Sequence, residues 1–118
     1  MIIHIVLFHP KPALSADERR SFAQSVVSFL ASAPSVARAS VGRSIDIDAG
    51  YVRSMGDTTY EYAAVIEFAD EVELKAYLNH PRHAELGELF WQYCERSIVS
   101  EVRSVDLTRG DAADKLAE

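Results

Sequence analysis

The chain has 118 residues, a formal net charge of −6, and a composition that is 48% hydrophobic and 25% charged. That length carries one globular domain with a core that needs no disulfide or metal staple. The acidic balance argues against broad nucleic-acid binding and disfavours anionic membranes, both of which require a basic face.

Ile2 to Phe8 is a β-branched apolar run that reads as a strand, stopped by Pro10 and Pro12. Ile3, Ile5 and Leu7 share one face. Ile2, Val6 and Phe8 share the other, which only His4 interrupts. A strand apolar on both faces is covered on both. The opening MIIHIVLFHPKP has no basic leader and too short an apolar run for a signal peptide. No apolar run approaches the roughly 18–20 residues of a membrane helix. With a single cysteine, Cys94, no internal disulfide can form, and a reducing, cytoplasmic location is expected.

Ser15-Ala16-Asp17-Glu18 fits a capping box, and Phe22, Val26, Phe29, Leu30 and Ala33 follow at helical spacing until Pro34. Val36 to Ile45 is the expected second strand and Tyr60 to Phe68 the third. The connection from Asp46 to Thr59 contains Asp46 and Asp48. They lack the further acidic positions of a calcium loop, so a solvated turn is expected. Asp70 caps a short helix to about Leu78. Pro81 starts another to about Arg96, placing Cys94 inside a helix as a small buried hydrophobe. Ile98 to Leu107 is the fourth strand. Residues 1–107 thus form the domain, and residues 108–118 a polar, frayed tail.

The order β-α-β-β-α-β is the ferredoxin-like, α+β arrangement: a four-stranded antiparallel sheet with helices on one face. The opposite sheet face is apolar, so a homodimer joined sheet against sheet, a dimeric α/β barrel, is expected. Any gap between sheet and helices is a pocket.

The stretch AYLNHPRHAELG, Ala76 to Gly87, holds two of the four histidines. The proline disfavours helical geometry in the residue before it and suits the first helical position, so His80 becomes the cap and His83 falls in the first turn. The positive end of a helix opposes a charged imidazole there, and a neutral one can act as a base or a hydrogen-bond partner. The opposing readings are structural. His83 caps or packs, Tyr77 is a core tyrosine with a satisfied hydroxyl, and His4 is a satisfied core histidine. Phe90 and Trp91 pack or line a cavity, and His9 is a solvated strand end. His80 and His83 lack a third ligand nearby, so no metal site is expected.

MIIHIVLF at the start, VGR at 41–43, YEYAAVIEF at 60–68 and AYLNHPRH at 76–83 together resemble the stress-responsive A/B barrel (Dabb) family over about residues 1–107. The resemblance implies a ferredoxin-like protomer and a sheet-to-sheet homodimer. One plant member closes a linear polyketide by aldol condensation. Its catalytic histidine matches His83, its partner tyrosine Tyr77, and its first-strand histidine His4. The flanking residues depart from that member, with Arg82 inside the motif and Glu85 and Glu88 after it. The implied chemistry is cofactor-free: His83 removes a proton next to a carbonyl, and Tyr77 donates to the developing oxyanion. His4, Phe90 and Trp91 would contact a small apolar, carbonyl-bearing or phenolic ligand. Against this cyclase or lyase reading stand a non-catalytic stress-associated ligand-binding dimer, a plain dimerisation module, and a cofactor-free monooxygenase. Fold alone does not choose among them.

Overall fold

The structure, a computed structural model, describes residues 1–47, 50, 56 and 58–118. Its elements are β1 (Ile2–Pro10), α1 (Ala16–Ser32), β2 (Arg38–Arg43), β3 (Tyr62–Phe68), α2 (Glu71–Asn79), α3 (Pro81–Tyr93), β4 (Cys94–Arg103) and α4 (Ala112–Ala117). The strands form one four-stranded sheet of order β2-β3-β1-β4. All three neighbouring pairs are antiparallel. This is the expected α+β, ferredoxin-like arrangement, with the second helical segment of the order divided into α2 and α3.

The alternation of β1 sets the two faces. Ile2, His4, Val6 and Phe8 are buried beneath the helices, whereas Ile3, Ile5 and Leu7 are partly open on the other side. On β3, Ala64, Ile66 and Phe68 point the same way as His4 and are buried, whereas Val65 on the outer face is exposed. α1 begins as its capping box dictates. Glu18 N donates to Ser15 Oγ at 3.1 Å, and Ser15 N donates back to Glu18 Oε1 at 3.0 Å. Its apolar stripe buries Phe22, Val26 and Phe29 against the sheet. Arg43 meets Glu61 at 3.1 Å, and Arg19 of α1 pairs with the same carboxylate, tying helix to sheet.

The core is divided. Ile2, Phe29, Ile66, Phe68, Leu74 and Tyr77 form one cluster; Val6, Phe8, Phe22, Val26 and Ala64 form another. His4 lies between them along β1, where an imidazole stands in a row that is otherwise aliphatic or aromatic.

Several boundaries differ from the sequence reading. β1 continues through Pro10, with an irregularity between His9 and Pro10 that accommodates the missing amide hydrogen. Pro10 lies opposite Cys94, and Lys11 N donates to Tyr93 O at 2.8 Å. This pairing draws Cys94 into the sheet. β4 therefore starts at Cys94 rather than Ile98 and ends at Arg103 rather than Leu107, and Cys94 is not a helix residue. The run FWQYCER fits either a helix or a strand, and the long partner strand decides. β2 is confined to Arg38–Arg43 and β3 starts at Tyr62. His9 is half-buried, with its Nδ1 atom enclosed and unpartnered among the described residues, rather than solvated. The expected tail contains the short exposed helix α4. Asp46 is exposed, and Asp48 lies outside the described residues. No helix among the described residues is long and apolar enough to cross a membrane.

Candidate functional site

A cavity of about 530 Å³ opens between the inner sheet face and the helices, in the gap that divides the core. Its floor is His4, Val6, Ala64 and Ile66, with Val99 and Glu101 from β4. Its walls come from Val26 and Leu30 of α1, Tyr77 of α2, and His83, Leu86 and Phe90 of α3. All five candidate positions from the sequence, His4, Tyr77, His83, Phe90 and Trp91, line this one space.

The corner between α2 and α3 aims the two central side chains. His80 ends α2, with its amide donating to Tyr77 O, and begins α3, with its Nδ1 accepting from Arg82 N at 3.1 Å. Its backbone is extended at φ −70°, ψ 137°, as the following proline requires. His83 N donates to His80 O at 2.9 Å, closing the first turn. One residue therefore serves as both caps, and Tyr77 and His83 face each other with ring centroids 5.0 Å apart at an interplanar angle of 64°. His4 meets the same tyrosine edge-on at 5.8 Å.

Tyr77 is 1% exposed and also packs on Phe29 and Phe68. Burial pushes its hydroxyl up to about 12, so it stays protonated and can donate. The pKa of His83 is lowered, first by burial and then by the charge of nearby His4. The shift favours the neutral imidazole expected from the sequence, and burial is its first cause. His4 Nδ1 donates to Glu101 Oε1 at 2.5 Å, so this buried ring is not isolated.

Glu101 was not legible as a lining residue. In the alternation Ser100-Glu101-Val102-Arg103 it reads as a solvent-facing charge. Only the register of β4 on β1, which sets it opposite His4, reveals its place. Arg82 turns away from the cavity, donating to Ser32 Oγ at 2.9 Å and lying over the Phe29 ring. Glu85 and Glu88 are exposed and do not line the cavity. Cys94 does line it, but burial pushes its thiol up to about 11 despite nearby Lys11, which disfavours the reactive thiolate. Trp91 stands at the rim, 86% exposed, while Phe90 packs inward on Phe8 and Phe22.

No curated protein matches the sequence. Among solved structures, the chain is similar to a Dabb family protein with a ferredoxin-like fold from Mesorhizobium loti. The two share 22% identity at a TM-score of 0.69, covering 89% of this chain and 97% of that one. A dimeric ferredoxin-like protein from Thermobifida fusca matches at 19% identity and a TM-score of 0.68, covering 87% and 90%. Hydroxynitrile lyase from Passiflora edulis matches at 18% identity and a TM-score of 0.70, covering 92% and 95%. At these identities the likeness establishes the fold. The model of the stress responsive A/B barrel domain matches residues 2–104. With most of its length matched, the chain belongs to the stress responsive A/B barrel (Dabb) family.

Proposed function

We propose that this protein binds a small, largely apolar, carbonyl-bearing or phenolic molecule in the cavity, and acts on it as a cofactor-independent lyase or cyclase. The observation that carries this reading is the pairing of His83 with Tyr77, rings 5.0 Å apart, on the wall of a cavity of about 530 Å³. A neutral imidazole can take a proton from the carbon beside a carbonyl. The C–H electron pair becomes the enolate π bond, and negative charge moves to oxygen. Tyr77, held protonated, donates a hydrogen bond to that oxygen. His4 and Glu101 set the polarity of the floor, and Phe90 and Trp91 supply apolar contact. The named lyase among the fold neighbours supports the compatibility of this architecture with such chemistry.

The working unit in this reading is a homodimer. Ile3, Ile5 and Leu7, flanked by exposed Val65, Ile98 and Val102, form an apolar outer sheet face. The dimeric description of the Thermobifida fusca neighbour supports pairing with a second copy, and the apolar character of this face is the reason to place the pairing here.

The test is a thermal-shift and turnover screen of aromatic ketones, aldehydes and phenols, with wild type beside His83→Ala. A compound that stabilises both proteins but is converted only by wild type is the expected result. Conversion that survives His83→Ala excludes His83 as the base. Binding without turnover by wild type reduces the protein to a ligand-binding dimer.

A further inference from the structure

The charge inventory of the cavity narrows its ligand, and this inference rests on the small-molecule reading above. Among the described residues, two carboxylates line the space, Glu101 and Glu95, and Arg96 is the one arginine or lysine there, already committed elsewhere. Its Nε donates to Thr59 O at 3.0 Å, its Nη1 to Glu95 Oε2 at 3.0 Å, and the guanidinium lies over the Tyr60 ring. His4, when protonated, already faces the Glu101 carboxylate at 2.5 Å. The start of α3 would ordinarily offer amides to an anion. Here Pro81 has none, Arg82 N is taken by the His80 ring, and His83 N by the His80 carbonyl.

We propose that the cavity selects a neutral carbonyl ligand over the matching carboxylate, with Glu101 as the residue that sets this preference. Arg96 and the His4 N–H already have partners, and burial holds His83 toward its neutral form, so an entering carboxylate would shed its water and find no ready positive charge in return. It would also have to displace Glu101 from the His4 N–H. A neutral ketone or ester carbonyl meets neither obstacle and needs only the Tyr77 hydroxyl as donor. Glu101 does this by position. Its side chain is 40% exposed at the β4 edge of the cavity, where it holds His4 and keeps that N–H from the ligand.

The experiment pairs each probe with its own acid: methyl 4-acetylbenzoate against 4-acetylbenzoate, and two longer aliphatic keto esters against the corresponding keto acids. Affinities are measured by calorimetry at pH 7.5 on the full chain. Wild type is expected to favour each ester by about tenfold or more, the scale of one uncompensated charge near a surface. Glu101→Gln keeps the side-chain shape at a partly exposed site, and Glu101→Ala removes the charge without adding an amide. Both are expected to narrow the preference by about tenfold, since the His4 N–H then lacks its carboxylate and can donate to that of the ligand. Equal affinity of wild type for esters and acids overturns the selectivity while leaving ligand binding intact. An undiminished preference in both variants removes Glu101 from the role. If no probe of either kind binds wild type, the small-molecule reading falls, and the selectivity with it.

Discussion

Tyr77 offers the sharpest separation of packing from chemistry, because the ring and the hydroxyl do different things. The ring is 1% exposed and touches Phe29, Phe68, His4 and His83 edge-on or tilted. Truncation by Tyr77→Ala should therefore cost about 3–5 kcal/mol, the range for deleting a fully buried aromatic. Tyr77→Phe keeps those ring contacts and removes only the hydroxyl oxygen. Its effect on stability should stay within about 1 kcal/mol. Its effect on the site should be larger. Loss of one hydrogen bond to a bound carbonyl costs about 0.5–1.5 kcal/mol, or roughly two- to tenfold in affinity. Loss of an oxyanion donor during turnover costs about a hundredfold or more. The assay measures urea unfolding, ligand calorimetry and turnover on the same preparations of wild type and Tyr77→Phe. If Tyr77→Phe binds and converts ligand as wild type does, the tyrosine is a core residue and the proposed donor must be sought elsewhere.

Other expectations rest on the same physics. His83 has a folded-state pKa below its ordinary 6.5, so the unfolded chain takes up a proton that the folded chain resists. Stability from this residue is present above pH 6.5 and drains away as the pH falls toward and through the folded-state value. His83→Gln should flatten that acid limb in pH-dependent melting, and base-dependent turnover should rise through a midpoint below 6.5. Ser15→Ala removes the oxygen that caps α1 and should cost about 1 kcal/mol in chemical denaturation; an unchanged midpoint would mean the helix start is held by other contacts. Ser35 sits at φ 68°, a left-handed conformation that suits glycine, so Ser35→Gly should be neutral or stabilising by up to about 1 kcal/mol. A loss of stability there would show that the serine side chain matters more than its backbone. Val65→Asp places a charge within the apolar outer face and should give a folded monomer by light scattering; a persistent dimer would move the interface off this face.

The fold was readable because periodicity carries it. The β-branched run Ile2–Phe8, stopped by prolines, reads as a buried strand, and the i, i+3, i+4 stripe from Phe22 to Leu30 as a one-sided helix. The capping box and His80-Pro81 fix helix starts through local hydrogen bonds, and local bonding is what a single sequence displays best. Boundaries decided by distant partners were not readable. Cys94 belongs to a strand because Pro10 lies across from it, and nothing in FWQYCER declares that. The same limit applied at the candidate site. The histidines and tyrosine stand out by chemical type, whereas Glu101 acquires its place only from strand register, 97 positions away from His4. Arg82, conspicuous within the motif, turned out to face α1 rather than the cavity.

The joint at His80 has a consequence for how this chain can change. Most helix-to-helix connections contain a few loop residues that absorb an added or deleted position. Here one residue ends α2 and begins α3, so no such slack exists. One residue gained inside the first turn of α3 would rotate the remainder of that helix by about 100°, the angle between successive helical residues. That rotation would carry a side chain from the cavity wall to the outer surface. Homologous chains can therefore vary the identity of residues around this corner far more freely than their number. The spacing from Tyr77 to His83 is the quantity a designer should leave fixed when transplanting the site to another sequence.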